Sequence, residues 1–114
     1  MREAETTTIK GYHAHVYYDA ACRDIAAEIR AALNARFDVA LGRWHDAPRG
    51  PHPISMYQVA FATDAFERIV PWLMLNRRGL TILVHPETGD DLADHSEHAL
   101  WLGAVLPLDL DKLR

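Results

Sequence analysis

The chain has little cysteine and no long hydrophobic run. Among its 114 residues Cys22 is the only cysteine, so no disulfide can form within the chain and no CxxC metal motif exists. No stretch approaches the roughly eighteen apolar residues of a membrane-spanning helix. The opening stretch MREAETTTIKGY also lacks the apolar segment of a secretory signal. We therefore expect a cytoplasmic protein with no membrane partner.

Excess positive charge is also missing. The formal net charge is −4, and the twelve Lys and Arg residues do not gather into a stripe. Proteins that bind nucleic acid concentrate such residues on one face, so we expect no nucleic-acid partner. The sequence contains no GxxxxGK[ST], GxGxxG or GxSxG motif. P-loop nucleotide binding, Rossmann dinucleotide binding and serine-hydrolase chemistry are therefore not indicated.

What the chain does have is an ordinary globular composition and many histidines. Hydrophobic residues make up 49% and charged residues 25%, which is typical of a protein with a packed core. The length suits one domain that folds alone. We expect residues 1–9 to form a disordered or extended tail and residues 10–114 to form the domain. Seven histidines in a short acidic chain are the unusual feature.

Hydrophobic periodicity predicts four strands. Alternation or short apolar runs place them at residues 10–18, 37–45, 54–62 and 80–86.

Helical spacing predicts three helices. The first follows an N-cap at Asp19, and the second opens at Thr63 and should be kinked or split by Pro71. A capping-box pattern of Asp94 with Glu97 predicts a third helix that ends at Gly103. Cys22 falls on the apolar stripe of the first helix, which favours a packing role over a nucleophilic one.

This element order predicts an α+β fold of the ferredoxin-like type, a βαββαβ sandwich with a C-terminal helix. Helices would cover one face of the sheet and leave the other face uncovered. An uncovered sheet face favours a second copy of the chain, so we expect a homodimer, arranged as a dimeric α+β barrel.

Several histidines are predicted to point to that second face. In the segment YHAHVYY, alternation puts His13 and His15 opposite the apolar Ala14 and Val16. The same argument places His85 at the end of the fourth strand and His52 at the entry of the third on this side. His52 and His85 each precede a proline and can simply satisfy backbone groups at a strand end, and the His13-x-His15 pair can be an ordinary polar strand face. The hypothesis of a functional site therefore rests on the convergence of all four histidines on one face.

Converging imidazoles indicate a metal site. Imidazole binds Fe(II), Zn and Cu, and oxygenase iron sites often combine two histidines with one carboxylate. The nearby acids have no spacing that singles one out, so a three-histidine site is equally compatible; they are Asp19, Glu87, Asp90, Asp91 and Asp94.

Four segments together resemble one known family. YHAHVYY, GPHPISMYQVAF, PWLMLNRRGLTILVHPETGDD and DHSEHALWLG are similar to motifs of the DOPA 4,5-dioxygenase family, in family order, from about Tyr12 to Leu110. The resemblance implies an extradiol dioxygenase that uses O2 to cleave a catechol such as L-DOPA, with Fe(II) as cofactor and Zn as a ready substitute during purification.

The resemblance also implies residue roles. The family's motif histidines correspond to His15, His52, His85 and His95. We expect His15, His52 and His85 to ligate the metal, and His95 or His13 to act as acid/base, since the pKa of histidine lies near neutral pH.

Two other functions are compatible with the same residues. One is a dimeric ferredoxin-like module that binds a metal or small molecule without turnover. The other is a cofactor-free oxygenase of the dimeric α+β barrel type, since fold alone does not define function.

Overall fold

The computed structural model describes residues 2–114 and has an α+β architecture built on one antiparallel sheet of five strands. The strands are β1 (Tyr12–Tyr17), β2 (Ala40–Leu41), β3 (Met56–Phe61), β4 (Ile82–Pro86) and β5 (Leu100–Leu102). The helices are α1 (Arg23–Arg36), α2 (Phe66–Asn76) and the single turn α3 (Asp91–Asp94). Short 3₁₀ turns occur at Thr6–Thr8, Ala20–Cys22, Thr63–Ala65 and Leu110–Leu113.

The strand order confirms the ferredoxin-like prediction. The order is β2-β3-β1-β4-β5, so β1 lies at the centre and pairs antiparallel with both β3 and β4. The first four strands and the helices α1 and α2 follow the βαββαβ sequence of that fold. β5 adds one strand at the β4 edge.

Alternation along β1 divides the sheet into two chemically different faces. Ala14 and Val16 are fully buried in the main core, together with Tyr57 and Val59 of β3. α1 and α2 cover this face, and Tyr57 donates a hydrogen bond from its hydroxyl to the Ala26 carbonyl at 2.8 Å. His13, His15 and Tyr17 therefore point to the opposite face.

The two long helices begin as the sequence predicts. The Asp19 carboxylate accepts a hydrogen bond from the Cys22 amide at 3.0 Å, and this cap leads through a 3₁₀ turn into α1. α2 follows the turn that opens at Thr63 and continues through Pro71 as one helix, so the predicted splitting is corrected. Its apolar side, with Ile69, Val70 and Leu73, packs in the main core. Cys22 is half-buried against that core.

Two predicted spans need correction. The strand expected at residues 37–45 is only Ala40–Leu41, and His45 then makes an isolated bridge with Met56. The C-terminal helix is a single turn, α3, which is capped by Asp90 rather than Asp94. The rest of the span predicted as helix contains β5, which pairs with β4.

The second face of the sheet is covered by the chain itself. Tyr17, Met56 and Leu83 form a small core on this face, and Trp101, Leu106 and Leu108 of the C-terminal region pack against it. The expectation of an uncovered face is therefore corrected, which removes the argument that led to the homodimer. The homodimer itself stays a prediction. No helix within residues 2–114 is long and apolar enough to cross a membrane.

Candidate metal centre

Five histidines gather on the second face of the sheet. Four of them line one cavity, and His85 packs against three of these four. β1 contributes His13 and His15, β4 contributes His85, the turn before β3 contributes His52, and α3 ends at His95. Antiparallel pairing sets His13 directly opposite His85. The rings of His85 and His95 are 4.0 Å apart between centres, and those of His15 and His52 are 4.2 Å apart. The structure thus brings together all five histidines that the sequence singled out.

The orientations of His85 and His95 are fixed by backbone carbonyl groups. His85 donates from Nδ1 to the Pro86 carbonyl at 2.9 Å, and His95 donates from Nδ1 to the Asp91 carbonyl at 2.7 Å. A carbonyl can only accept, so each Nδ1 carries the proton and each Nε2 has a free lone pair. Metal-binding histidines are commonly held by this kind of contact.

His52 is held by Tyr17. Its Nδ1 lies 2.7 Å from the Tyr17 hydroxyl, and both side chains are buried. Burial raises the pKa of Tyr17, so the phenol keeps its proton at physiological pH. The hydroxyl oxygen of Tyr17 can accept a hydrogen bond from Nδ1–H of His52, and in this tautomer Nε2 keeps its lone pair for a metal ion.

His15 is the most enclosed member of the cluster and is poorly satisfied. Its Nε2 lies 3.1 Å from Nε2 of His85, and its Nδ1 is buried with no hydrogen-bond partner among the described residues. A buried polar atom without a partner costs about 1–3 kcal/mol. Two nitrogens bound to one divalent ion at about 2.0–2.1 Å lie roughly 3.0–3.4 Å apart. The spacing of His15 and His85 therefore suits two ligands of one ion, and it equally suits a hydrogen bond from Nε2–H of His15 to Nε2 of His85.

The possible ligand nitrogens form two triads that share His15. One triad is His13, His15 and His85, and the other is His15, His52 and His95; within each, the nitrogens lie within 4.8 Å of one another. His52 and His85, which the sequence placed in one ligand set, belong to different triads. The donor set is neutral imidazole without thiolate, which suits Fe(II), Zn or Cu. The residues present thus fit a bound metal ion.

Burial keeps the three most enclosed imidazoles, those of His15, His52 and His85, uncharged at neutral pH. It is the main cause that lowers the pKa of His52 and of His85 to about 4, and the neighbouring histidines add to the effect. The pKa of His15 is lowered well below 6.5 for the same reasons. Neutral imidazole is the form that binds metal ions.

The carboxylate next to this cluster is Glu87. Its Oε1 lies 3.0 Å from His13 Nδ1 and 3.5 Å from His85 Nδ1. Burial, together with Asp91 and Asp94, raises the pKa of Glu87. The sequence did not distinguish Glu87 from the other acids. Its position two residues after His85 was the available signal, since residues i and i+2 share a strand face.

The remaining acids and histidines have other contacts. Asp94 is fully buried and accepts hydrogen bonds from the Thr88 amide at 2.8 Å and hydroxyl at 2.7 Å. It also contacts the exposed His98 at 3.1 Å. Asp19 caps the turn before α1, and Asp90 caps α3. These acids therefore have structural roles in the contacts described.

The fold and site together define a ferredoxin-like α+β protein with a buried histidine cluster able to hold a metal ion. A sequence model of the Dopa 4,5-dioxygenase family matches residues 12–112, nearly the whole chain. The chain therefore belongs to the Dopa 4,5-dioxygenase family.

Two fungal relatives support the assignment. A DOPA 4,5-dioxygenase of Amanita muscaria is 38% identical over 114 residues, covering 92% of this chain and 50% of the fungal protein. An "uncharacterized 21.2 kDa protein" of Botryotinia fuckeliana is 32% identical over 115 residues, covering 90% of this chain and 63% of its own. The chain thus spans about half to two thirds of the length of these relatives.

A solved structure supports the fold in detail. A Nostoc punctiforme protein, described as "a putative dioxygenase", is 61% identical and superposes with a TM-score of 0.97. The match covers 98% of this chain and 97% of that one.

Acid should destabilise the metal-free protein. An unfolded histidine takes up a proton below pH 6.5, whereas folded His52 and His85 stay neutral until about pH 4. The contribution of His52 and His85 to the free energy of unfolding is therefore fully present above pH 6.5 and is lost as the pH falls toward 4. At pH 5 each of the two histidines should lower the free energy of unfolding by on the order of 2 kcal/mol relative to pH 7.5. Urea unfolding at pH 7.5 and 5 measures this loss, and His52→Gln should reduce it; equal stability at both pH values would contradict the assignment.

Removing the Tyr17 hydroxyl should weaken metal binding. Tyr17→Phe keeps the ring but frees Nδ1 of His52, and loss of such a supporting contact typically costs 10- to 100-fold in metal affinity. Titration with Zn²⁺ measures the change. Tyr12→Phe is the matched control, since Tyr12 lies on the same strand but packs toward Phe61 and Phe66. Equal affinity in the two variants would mean that Tyr17 does not support His52 as a ligand.

Proposed function

We propose that the protein is a metal-dependent extradiol dioxygenase that opens the ring of a catechol, of which L-DOPA is an example, with O2. The observation that carries this proposal is the convergence of five imidazoles on one face, with Nδ1 of four engaged by other groups. Membership of the Dopa 4,5-dioxygenase family supports the class of reaction. The adjoining cavity, about 460 Å³ in volume, is large enough for a catechol with a short side chain.

The proposed ligands are His15, His85 and His52, a set that combines the shared His15 with one member of each triad. His15 is shared by both triads, His85 lies 3.1 Å from it, and His52 is held for binding by Tyr17. When bound, Fe(II) would supply coordination positions for the catechol oxygens and for O2. The protein holds these imidazoles neutral and nearly free of water.

His13 is the proposed acid/base, with His95 as the second candidate. His13 is only partly buried, so its ring is accessible from the cavity, and Glu87 holds its Nδ1. Burial is the main cause that lowers the pKa of His13 below 6.5. A neutral imidazole with Nδ1 held in this way can accept a proton from a catechol hydroxyl at Nε2 and return it later. Glu87 acts as a positioning residue in this scheme.

Iron reconstitution tests the proposed function. The protein is loaded with Fe(II) without oxygen, its metal content is measured, and oxygen uptake is followed with a set of catechols. We expect one iron per chain, oxygen consumption and a yellow ring-opened product. His15→Ala and His85→Ala should lose both the metal and the activity.

The same experiment separates the alternatives. Stoichiometric metal without oxygen uptake would favour a binding module, and full activity after chelation would favour a cofactor-free oxygenase. His52→Gln and His13→Gln test the division of roles: the first should lose metal and the second should keep it. The opposite result would exchange the two assignments.

Replacing Glu87 by glutamine should slow turnover and leave the metal in place. We expect kcat to fall about 10- to 100-fold, because glutamine keeps an acceptor oxygen but removes the negative charge that strengthens the hydrogen bond orienting His13. Loss of the nearby carboxylate disfavours imidazolium, so the acidic limb of the kcat/KM profile should move to lower pH. Asp91→Asn also removes a carboxylate that raises the pKa of His13, so it should move the acidic limb in the same direction, but it should change kcat less because the His13 contact with Glu87 remains. Loss of iron from Glu87→Gln would instead indicate a structural role.

A further inference from the structure

We propose that Arg49 binds a carboxylate group on the side chain of the substrate, which makes a catechol with an anionic side chain the preferred substrate class. This inference rests on the proposed function for the identity of the ring. It assigns a role to Arg49, a residue of the cavity lining that the proposed function does not use.

A tight turn ties Arg49 to the metal site. Arg49 and His52 exchange two backbone hydrogen bonds, from the Arg49 amide to the His52 carbonyl at 3.2 Å and back at 3.0 Å. Gly50 between them has φ +55°, which favours glycine at this position of the turn. Residues that face each other in this way extend their side chains to the same side. The side chain of Arg49 therefore leaves the backbone on the side of His52, and both residues line the same cavity.

Arg49 has no acidic partner within residues 2–114. Asp46, the acid in the same loop, is already engaged by Arg23 at 2.9 Å and by the Tyr18 hydroxyl at 2.6 Å. Glu87, which also lines the cavity, contacts His13, with 3.0 Å between Oε1 and Nδ1. Arg49 is exposed and lines the cavity, so its guanidinium is available to an anion that enters.

The chemistry of Arg49 specifies the anion. The planar guanidinium presents paired donors that match both oxygens of a carboxylate. A catechol held by its two hydroxyl groups at the histidines points its ring substituent away from them. A carboxylate two or three carbons from the ring would reach toward the loop that carries Arg49. An amino acid and a plain propionic acid satisfy this requirement equally.

Four catechols with different side chains test the inference. They are L-DOPA, 3,4-dihydroxyphenylpropionate, dopamine and 4-ethylcatechol, which differ in carrying an amino acid, an acid, an amine or no charge. We expect kcat/KM to be higher for the two carboxylates than for 4-ethylcatechol. In Arg49→Gln this ratio should fall about tenfold through KM, the loss expected for one charge-assisted contact at a partly exposed site. Arg49→Lys should restore part of it.

Arg43→Gln is the matched control. Arg43 lies in the same loop, and it lowers the pKa of His45 as Arg49 does, in addition to burial, but it does not line the cavity. It should leave the ratio unchanged. An unchanged ratio in Arg49→Gln, or an equal fall in Arg43→Gln, would overturn the assignment. A preference for L-DOPA but not for 3,4-dihydroxyphenylpropionate would show that the carboxylate bound by Arg49 must belong to an amino acid.

A binding measurement separates this inference from the proposed function. Zinc is redox-inert, so the zinc-loaded protein binds catechols without consuming them. Calorimetry should give a lower Kd for 3,4-dihydroxyphenylpropionate than for 4-ethylcatechol, and Arg49→Gln should remove the difference. If no catechol is turned over by the iron protein but this preference remains, the proposed function fails and the carboxylate site stands. If the preference is absent, the carboxylate site fails whatever the activity.

Discussion

The alternation of side chains along β1 is the constraint on which the rest of the structure depends. This strand is hydrogen-bonded on both sides, so its register is fixed twice, against β3 and against β4. A shift by one residue would place His13 and His15 in the main core and Ala14 and Val16 in the cavity. The packing of the helices and the position of the imidazoles are therefore determined by one and the same register.

A second theme is how the protein keeps a polar cluster in a buried place. Burial lowers the pKa of His13, His15, His52 and His85, and four of the five imidazoles in the cluster satisfy Nδ1 with a carbonyl, a hydroxyl or a carboxylate. His15 is the exception, since its Nδ1 has no partner among the described residues. Neighbouring polar groups thus bear on the outer side of the cluster, while the inner nitrogens face one another. Nε2 of His15 and Nε2 of His85 lie 3.1 Å apart, and two nitrogens this close need a proton or an ion between them.

Local patterns predicted much of this fold. The phases of β1, β3 and β4 follow from residue alternation, and so does the convergence of His13, His15, His52 and His85. The prediction failed where distant contacts decide the outcome. Asp94 and Glu97 have the spacing of a capping box, but the Asp94 carboxylate binds Thr88 instead, and Leu100–Leu102 pairs with β4. The covering of the second face by the C-terminal region also depends on contacts that no local pattern contains.

The histidines proposed as ligands were recognisable in the sequence, and the groups around them were less so. Alternation already placed Tyr17 on the histidine face. Its contact with His52, however, depends on how the loop before β3 folds. Glu87 follows His85 at strand spacing, and its contact with His13 depends on the pairing of β1 with β4. Arg49 precedes a Gly-Pro pair, which is a recognisable turn signal. That signal identifies a turn, but the direction of the arginine follows only from the pairing of Arg49 with His52.

The contact between His15 and His85 joins residues 70 positions apart in the chain. An unfolded chain holds two such residues far apart on average, so it offers no comparable site for an ion. Any ion that binds here therefore favours the folded state, and its contribution grows with the logarithm of its concentration above Kd. Metal occupancy and folding are in this sense linked equilibria. The abundance of the folded protein in a cell would then respond to the supply of the metal as well as to the sequence.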